Sequence, residues 1–156
     1  MAAGEFIEKL RRQTASSAQG RWIGTTLNEM VDQFGADAVR LYEMFMGPLE
    51  SMKPWSTRGV EGITRFLDRV WRLMIGDEGA LSPAVTDTEP TPEQLRLLHY
   101  TIKKVTDDID ALRFNTAISQ MMVFTNEMTK LEQRPRRLLE PFVLLLLPFA
   151  PHLSEE

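Results

Sequence analysis

Apolar residues recur along this chain at spacings of three and four, the period of a helix that buries one face. Ile63, Phe66, Leu67, Val70 and Met74 form one seam, Leu95, Leu98, Ile102, Val105 and Ile109 a second, and Phe114, Ala117, Met121, Phe124, Met128 and Leu131 a third. Seams of this kind pack helix on helix. No stretch shows the period-two alternation of a half-buried strand, so the pattern predicts an all-α fold.

Turn and capping residues divide these runs. Residues 15–26 are rich in Ser, Gly and Thr and read as a loop. A short helix is expected over Leu27–Phe34, with Thr26 as N-cap and Gly35 as terminator. Asp37 is expected to cap the next helix, which ends at Gly47–Pro48 and carries Val39, Leu41, Tyr42, Phe45 and Met46 on an apolar face. Leu49–Ser56 is a connector containing Pro54, and a longer helix starts at Ser56 or Thr57 and runs to about Ile75. Gly76–Pro90, with Gly, Pro, Ser, Thr and acidic residues, reads as a flexible linker. Thr91-Pro92-Glu93-Gln94 is a capping box with proline at the first helical position. A break near Asp110–Leu112 and a loop at Gln133–Pro135 bound the following helix. The next one, from Arg136, is apolar on most sides and is expected to be the most buried element. Pro141 falls early enough in it to be tolerated. Pro148 and Pro151 end that helix, and His152–Glu156 reads as the first turn of another.

Composition narrows the chemistry. The 156 residues are 43% hydrophobic and 26% charged, which are globular averages, and the length suits one domain with a sizeable core. A net charge of -4 means that any nucleic-acid contact has to come from a local basic patch. Zero cysteines exclude disulfides, thiolate metal sites and thiol nucleophiles, and His99 and His152 are too few for a histidine metal site. Asp107, Asp108 and Asp110 lack the loop of a calcium site, and His152, after a proline at a helix start, reads as structural. The run Leu138–Ala150 is too short and too interrupted to span a membrane. The first residues show no signal-peptide core, and Glu5 and Glu8 argue against a transit peptide. No phosphate-cradling loop or nucleophile–base pair is present.

Basic residues cluster in three places. Arg58, Arg65, Arg69 and Arg72 fall within roughly 60° of each other on the Thr57–Ile75 helix, away from its apolar face. Guanidiniums so arranged suit phosphate oxygens, and Trp55 and Trp71, near the two ends of the helix, have rings that stack on a base or ribose. The same stripe equally suits a solvated face, with Glu61–Arg65 and Asp68–Arg69 pairing within the helix. Lys130, Arg134, Arg136 and Arg137 concentrate charge at a short turn, either as phosphate contacts or as a soluble loop whose arginines flank Glu132 and Glu140. Lys53 and Trp55 share the connector. Lys53 has no evident structural duty, while Trp55 suits an anchor against the bundle. Lys103 and Lys104 are offset by Asp107 and Asp108.

Five blocks carry a family resemblance: FGADAVRLYEMFMGPLE (Phe34–Glu50), KPWS (Lys53–Ser56), GVEGITRFLDRVWRL (Gly59–Leu73), RFNTAIS (Arg113–Ser119) and EPFVLLLLPFAPHLSEE (Glu140–Glu156). In this order they resemble leucyl-tRNA synthetases of bacterial or organellar type, over about residues 27–156. The resemblance implies an antiparallel helix bundle of the class I anticodon-binding type over 57–156, continuing past Glu156, and a stem-contact-like segment over 27–56; residues 1–26 match poorly. Where the second catalytic signature would fall, Ser16–Gly20 reads SSAQG and offers no lysine, and the first signature is absent. The resemblance therefore implies docking of tRNA, leucine tRNA above all, through backbone and shape contacts by Lys53, Trp55, Arg58, Arg65, Arg69, Arg72, Arg134, Arg136 and Arg137. It implies no aminoacylation by this chain alone, and no cofactor in it, since ATP and Mg belong to a full-length parent enzyme. Expected partners are tRNA and a synthetase catalytic domain, with self-association through exposed apolar surface also open. No membrane contact is expected, and the location is cytoplasmic or an organellar matrix. A protein-interaction bundle that does not bind RNA is the alternative.

Overall fold

Capping chemistry and the apolar period together fix where the helices run. In the computed structural model, which describes residues 27–47, 56–76 and 79–156, the elements are α1 (Leu27–Phe34), α2 (Ala36–Phe45), α3 (Thr57–Met74), β1 (Val85–Thr86), α4 (Pro92–Asp110), α5 (Phe114–Thr129), β2 (Arg134–Pro135), α6 (Arg136–Leu146) and α7 (Pro151–Glu155). The all-α expectation holds, with a two-residue parallel pairing of β1 and β2 as the only named sheet among the described residues. Contacts divide the chain between Gln33 and Phe34. On the first side lies the amphipathic helix α1 as far as Gln33. Phe34–Glu156 forms a compact unit carrying the other helices.

Within that unit α2 packs on α3 through a close approach. Ser56 caps α3, its hydroxyl accepting from the Gly59 amide at 3.3 Å. The Tyr42 hydroxyl accepts from the Ser56 amide at 2.8 Å. A Cβ on Gly59 would sit 2.6 Å from the Tyr42 ring, so glycine is what admits the ring. Burial pushes the Tyr42 pKa up, against the lowering effect of the Ser56 amide.

Both halves of the capping box at Thr91 form: the Thr91 amide donates to Gln94 at 2.8 Å and the Gln94 amide to Thr91 at 3.3 Å. Helices α4 and α5 then run antiparallel, since Gln120 donates to Thr101 (3.0 Å) and Thr116 to Asp108 (2.6 Å), partners that recede from the joining turn in step. Asp108, fully buried, ties the turn. Lys104, Arg113 and Thr116 all donate to it. Burial works against its charge, but these donors outweigh it and hold the carboxyl below the usual range.

The core gathers Leu41, Ile63, Phe66, Met121, Phe124 and Phe142 from α2, α3, α5 and α6, with Leu98 and Val105 of α4. Phe124 stacks on Phe142 at 4.7 Å between centroids, and Phe114 meets Phe149 edge-on at 6.2 Å.

Three expectations are corrected. Asp37 does not cap α2; Gly35 holds that position with φ 85° and no side-chain bond. Asp37 lies one residue inside α2 and caps α7, accepting from the Leu153 amide at 2.8 Å and the His152 amide at 3.4 Å. The 76–90 stretch is a tied strap in its described part, not a free linker. Ser82 donates to the Met74 carbonyl at 2.7 Å, Gly76 to Ala80 at 2.8 Å, and Arg134 donates to Ala84 at 2.6 Å. Nor is α6 the most buried helix: Leu138, Leu139, Phe142 and Leu146 are buried, but Leu144 is 71% exposed. A helix that is apolar on most sides has more apolar surface than its neighbours cover.

Candidate nucleic-acid interface

The arginine stripe stands on α3 because the opposite face of that helix is fully used. Val60, Ile63, Phe66, Leu67, Val70 and Leu73 are buried, and Arg58, Arg65, Arg69 and Arg72 are all exposed. At about 1.5 Å per residue, the four span about 21 Å of helix. The expected intrahelical pairs do not form. Glu61 and Asp68 lie about 50–70° to one side of the stripe, and among the described residues none of the four guanidiniums has a carboxylate partner. Trp71 is not part of the stripe: it is half-buried and about 130° round the helix from it. Arg65, Arg69 and Arg72 are spaced by four and three, so the helix carries like-charge repulsion of a few tenths of a kcal/mol per pair. An anionic ligand removes that repulsion.

The basic turn after α5 is drawn to the end of this stripe. Arg134 donates from one terminal nitrogen to the Arg72 carbonyl (3.3 Å) and the Leu73 carbonyl (3.1 Å), a cation closing the C-terminus of α3. Its Nε is buried without a hydrogen-bond partner among the described residues. Thus Arg134 is occupied as a brace, while Arg136 and Arg137 stay at the surface beside it. Their partners are not Glu132 and Glu140, as expected, but the strap: Arg136 meets Asp87 at 3.2 Å and Arg137 meets Glu89 at 2.8 Å. Lys130 pairs with Glu127 at 2.6 Å. On α4, Asp107 holds Lys103 at 2.6 Å and raises its pKa. Lys53 and Trp55 lie outside the described residues.

Sequence reasoning missed a clamp between the ends of the compact unit. Arg40 donates from Nε (3.2 Å) and Nη2 (2.9 Å) to the Pro148 carbonyl, and Asp37 meets His152 Nδ1 at 2.8 Å besides capping α7. The side chains of the Gly35–Arg40 stretch thus hold the proline-bounded joint of α6 and α7. The only available signal was that both stretches carry the family resemblance. His152 is thereby a structural ligand of Asp37. Among the described residues no cluster of His, Cys, Asp or Glu could hold a metal, and no helix is long and apolar enough to cross a membrane.

A family model described as the anticodon-binding domain of tRNA ligase matches residues 93–156. Leucine–tRNA ligase 1 of Rhizobium johnstonii is 56% identical over 129 residues, which is 83% of this chain and 15% of that protein. Leucine–tRNA ligase of Chloroherpeton thalassium is 50% identical over 156 residues, 100% of this chain and 18% of that protein. Among solved structures, the ternary complex of an Agrobacterium radiobacter LeuRS with tRNA and LeuAMS aligns with a TM-score of 0.71 at 30% identity, over 90% of this chain and 20% of that one. The chain therefore spans no more than about a fifth of the length of these relatives.

Proposed function

We propose, from the premise that this chain belongs to the leucyl-tRNA synthetase family and carries its helical anticodon-binding domain, that it docks the backbone of a tRNA, leucine tRNA by family, for aminoacylation by a catalytic domain elsewhere in the parent protein. The observation that carries the reading is the α3 stripe: Arg58, Arg65, Arg69 and Arg72 exposed on one edge without a carboxylate partner among the described residues. Four uncompensated guanidiniums in a domain of net charge -4 are a local anion site on a chain that otherwise repels RNA. Arg65, Arg69 and Arg72 follow one another at helical spacings of four and three, which puts neighbouring Cβ atoms about 5–6 Å apart, within the Debye length of about 8 Å, so their fields add in physiological salt. Arg136 and Arg137 extend the surface, Arg134 braces it from within, and Lys53 and Trp55 belong to the proposal through the family resemblance. Guanidiniums grip phosphates in a fork and read no sequence, so the docking is to shape and backbone. The same reading includes a cytoplasmic or organellar-matrix location.

Binding of leucine tRNA and of an unrelated tRNA across a salt series, with R65E/R69E/R72E beside the parent chain, tests this. Salt-sensitive binding that the triple variant loses is the expected result. Equal binding by parent and variant, or none at low salt, overturns it.

A further inference from the structure

Resting on that reading, we propose that the strap residues Asp87 and Glu89 guard a two-arginine phosphate site: their carboxylates occupy Arg136 and Arg137, and the RNA backbone replaces them on binding. The contacts are Arg136 Nε to Asp87 Oδ1 at 3.2 Å and Arg137 Nη1 to Glu89 Oε2 at 2.8 Å. Each uses one nitrogen of a guanidinium that has five N–H donors, so neither arginine is held in a two-pronged grip. All four side chains are open to water, Asp87 and Glu89 at 85% and 81%, Arg136 and Arg137 at 46% and 68%. Ion pairs this exposed are weak and exchange readily.

The strap's backbone is held by other bonds. Val85 and Thr86 pair with Arg134 and Pro135, and the Arg134 amide donates to Ala84. The carboxylates can therefore leave the arginines while the chain beneath them stays in place. Position gives the exchange a use: Arg134 fixes this turn to the Arg72 carbonyl, at the end of the α3 stripe. A backbone following the stripe meets Arg136 and Arg137 next. A lone anion gains too little there to displace both carboxylates, whereas a polyanion already held by the stripe does so intramolecularly. The guard thus favours long, correctly placed RNA over small anions.

The test is tRNA binding by D87N/E89Q, in which both carboxylates become neutral near-isosteres. D107N/D110N serves as control, making the same charge change at the end of α4 remote from the strap. At about 0.2–1 kcal/mol for each of the two exposed pairs, the guard variant should bind tRNA about two- to thirtyfold more tightly, with a steeper salt dependence, and the control should gain less. Adding R136Q/R137Q to the guard variant should abolish the gain. Equal gains in guard variant and control, no gain, or a gain that survives loss of both arginines would overturn the guard. Those outcomes leave the docking reading intact if binding still depends on Arg65, Arg69 and Arg72; loss of that dependence overturns the docking reading itself. Thermal melts of both variants should stay cooperative and fall by no more than a few degrees, because only exposed side chains are altered.

Discussion

Replacing Gly59 by alanine tests the joint between α2 and α3, which sets where the arginine stripe begins. The new methyl would lie 2.6 Å from Tyr42 Cε2 and 3.5 Å from two further ring atoms. The ring has little room to yield, since Tyr42 is buried and its hydroxyl takes the Ser56 amide. Overpacking of this kind costs about 1–3 kcal/mol, and the rigid neighbour puts Gly59 at the upper end. Alanine returns at most about 1 kcal/mol through helix propensity, leaving a net loss of about 2 kcal/mol. Gly62, one turn on, is the internal control. A Cβ there meets only the far end of the Arg65 side chain at 3.8 Å, so Gly62→Ala should gain about 0.5–1 kcal/mol. The same substitution on one helix thus has opposite signs. Urea unfolding, with the slope checked for constancy, should place the variants on either side of the parent. In melting temperature the loss corresponds to about 4–8 °C. Trimming Tyr42 to leucine should recover part of the loss in the Gly59→Ala background, a coupling a double-mutant cycle measures directly. Should Gly59→Ala prove as stable as Gly62→Ala, the close approach is not what glycine serves.

Three further outcomes follow from buried or exposed groups. Asp108→Asn should cost about 2–3 kcal/mol, less than a fully buried pair because Lys104 and Arg113 are partly in water. The folded pKa of Asp108 lies below its unfolded value of about 3.9, so its stabilisation is complete above that pH and is lost as pH falls through the folded pKa; acid unfolding of the asparagine variant should show a flatter dependence below pH 4. Asp37→Ala should raise hydrogen exchange at the His152 and Leu153 amides while leaving the α4–α5 pair unaffected, and unchanged exchange would refute the cap. Leu144→Ser should alter stability by less than about 0.5 kcal/mol, whereas Leu146→Ala, at a fully buried site, should cost about 2–5 kcal/mol; urea midpoints separate them.

Local signals in the sequence carried far here. Thr91 through Gln94 announce the start of α4 because a capping box is closed within four residues, and the seams name the buried faces of α3, α4 and α5 because period alone decides them. The stripe on α3 was legible for the same reason: once the apolar face is known, its opposite edge follows. What escaped depended on distant partners. Asp37 looks like a cap for the helix in whose first turn it lies, but the amides it accepts from are 115 and 116 residues on. Asp87 and Glu89 read as linker composition until they meet Arg136 and Arg137, 49 and 48 residues away. Pairing of Glu61 with Arg65 was a fair expectation from spacing, yet exposed i,i+4 pairs contribute only a few tenths of a kcal/mol, too little to hold a long side chain in one place. Leu144 shows the limit of periodicity: a helix that is apolar on most sides does not say which side lacks a neighbour.

If the α3 arginines neutralise RNA phosphates, the salt dependence of tRNA binding counts those contacts. Comparing the parent chain with R58Q, R65Q, R69Q and R72Q one at a time should show the slope of log K against log salt falling by roughly 0.7–0.9 for each arginine that holds a phosphate, alike for leucine tRNA and an unrelated tRNA. Slopes unchanged in all four variants would mean that none of the α3 arginines holds a phosphate.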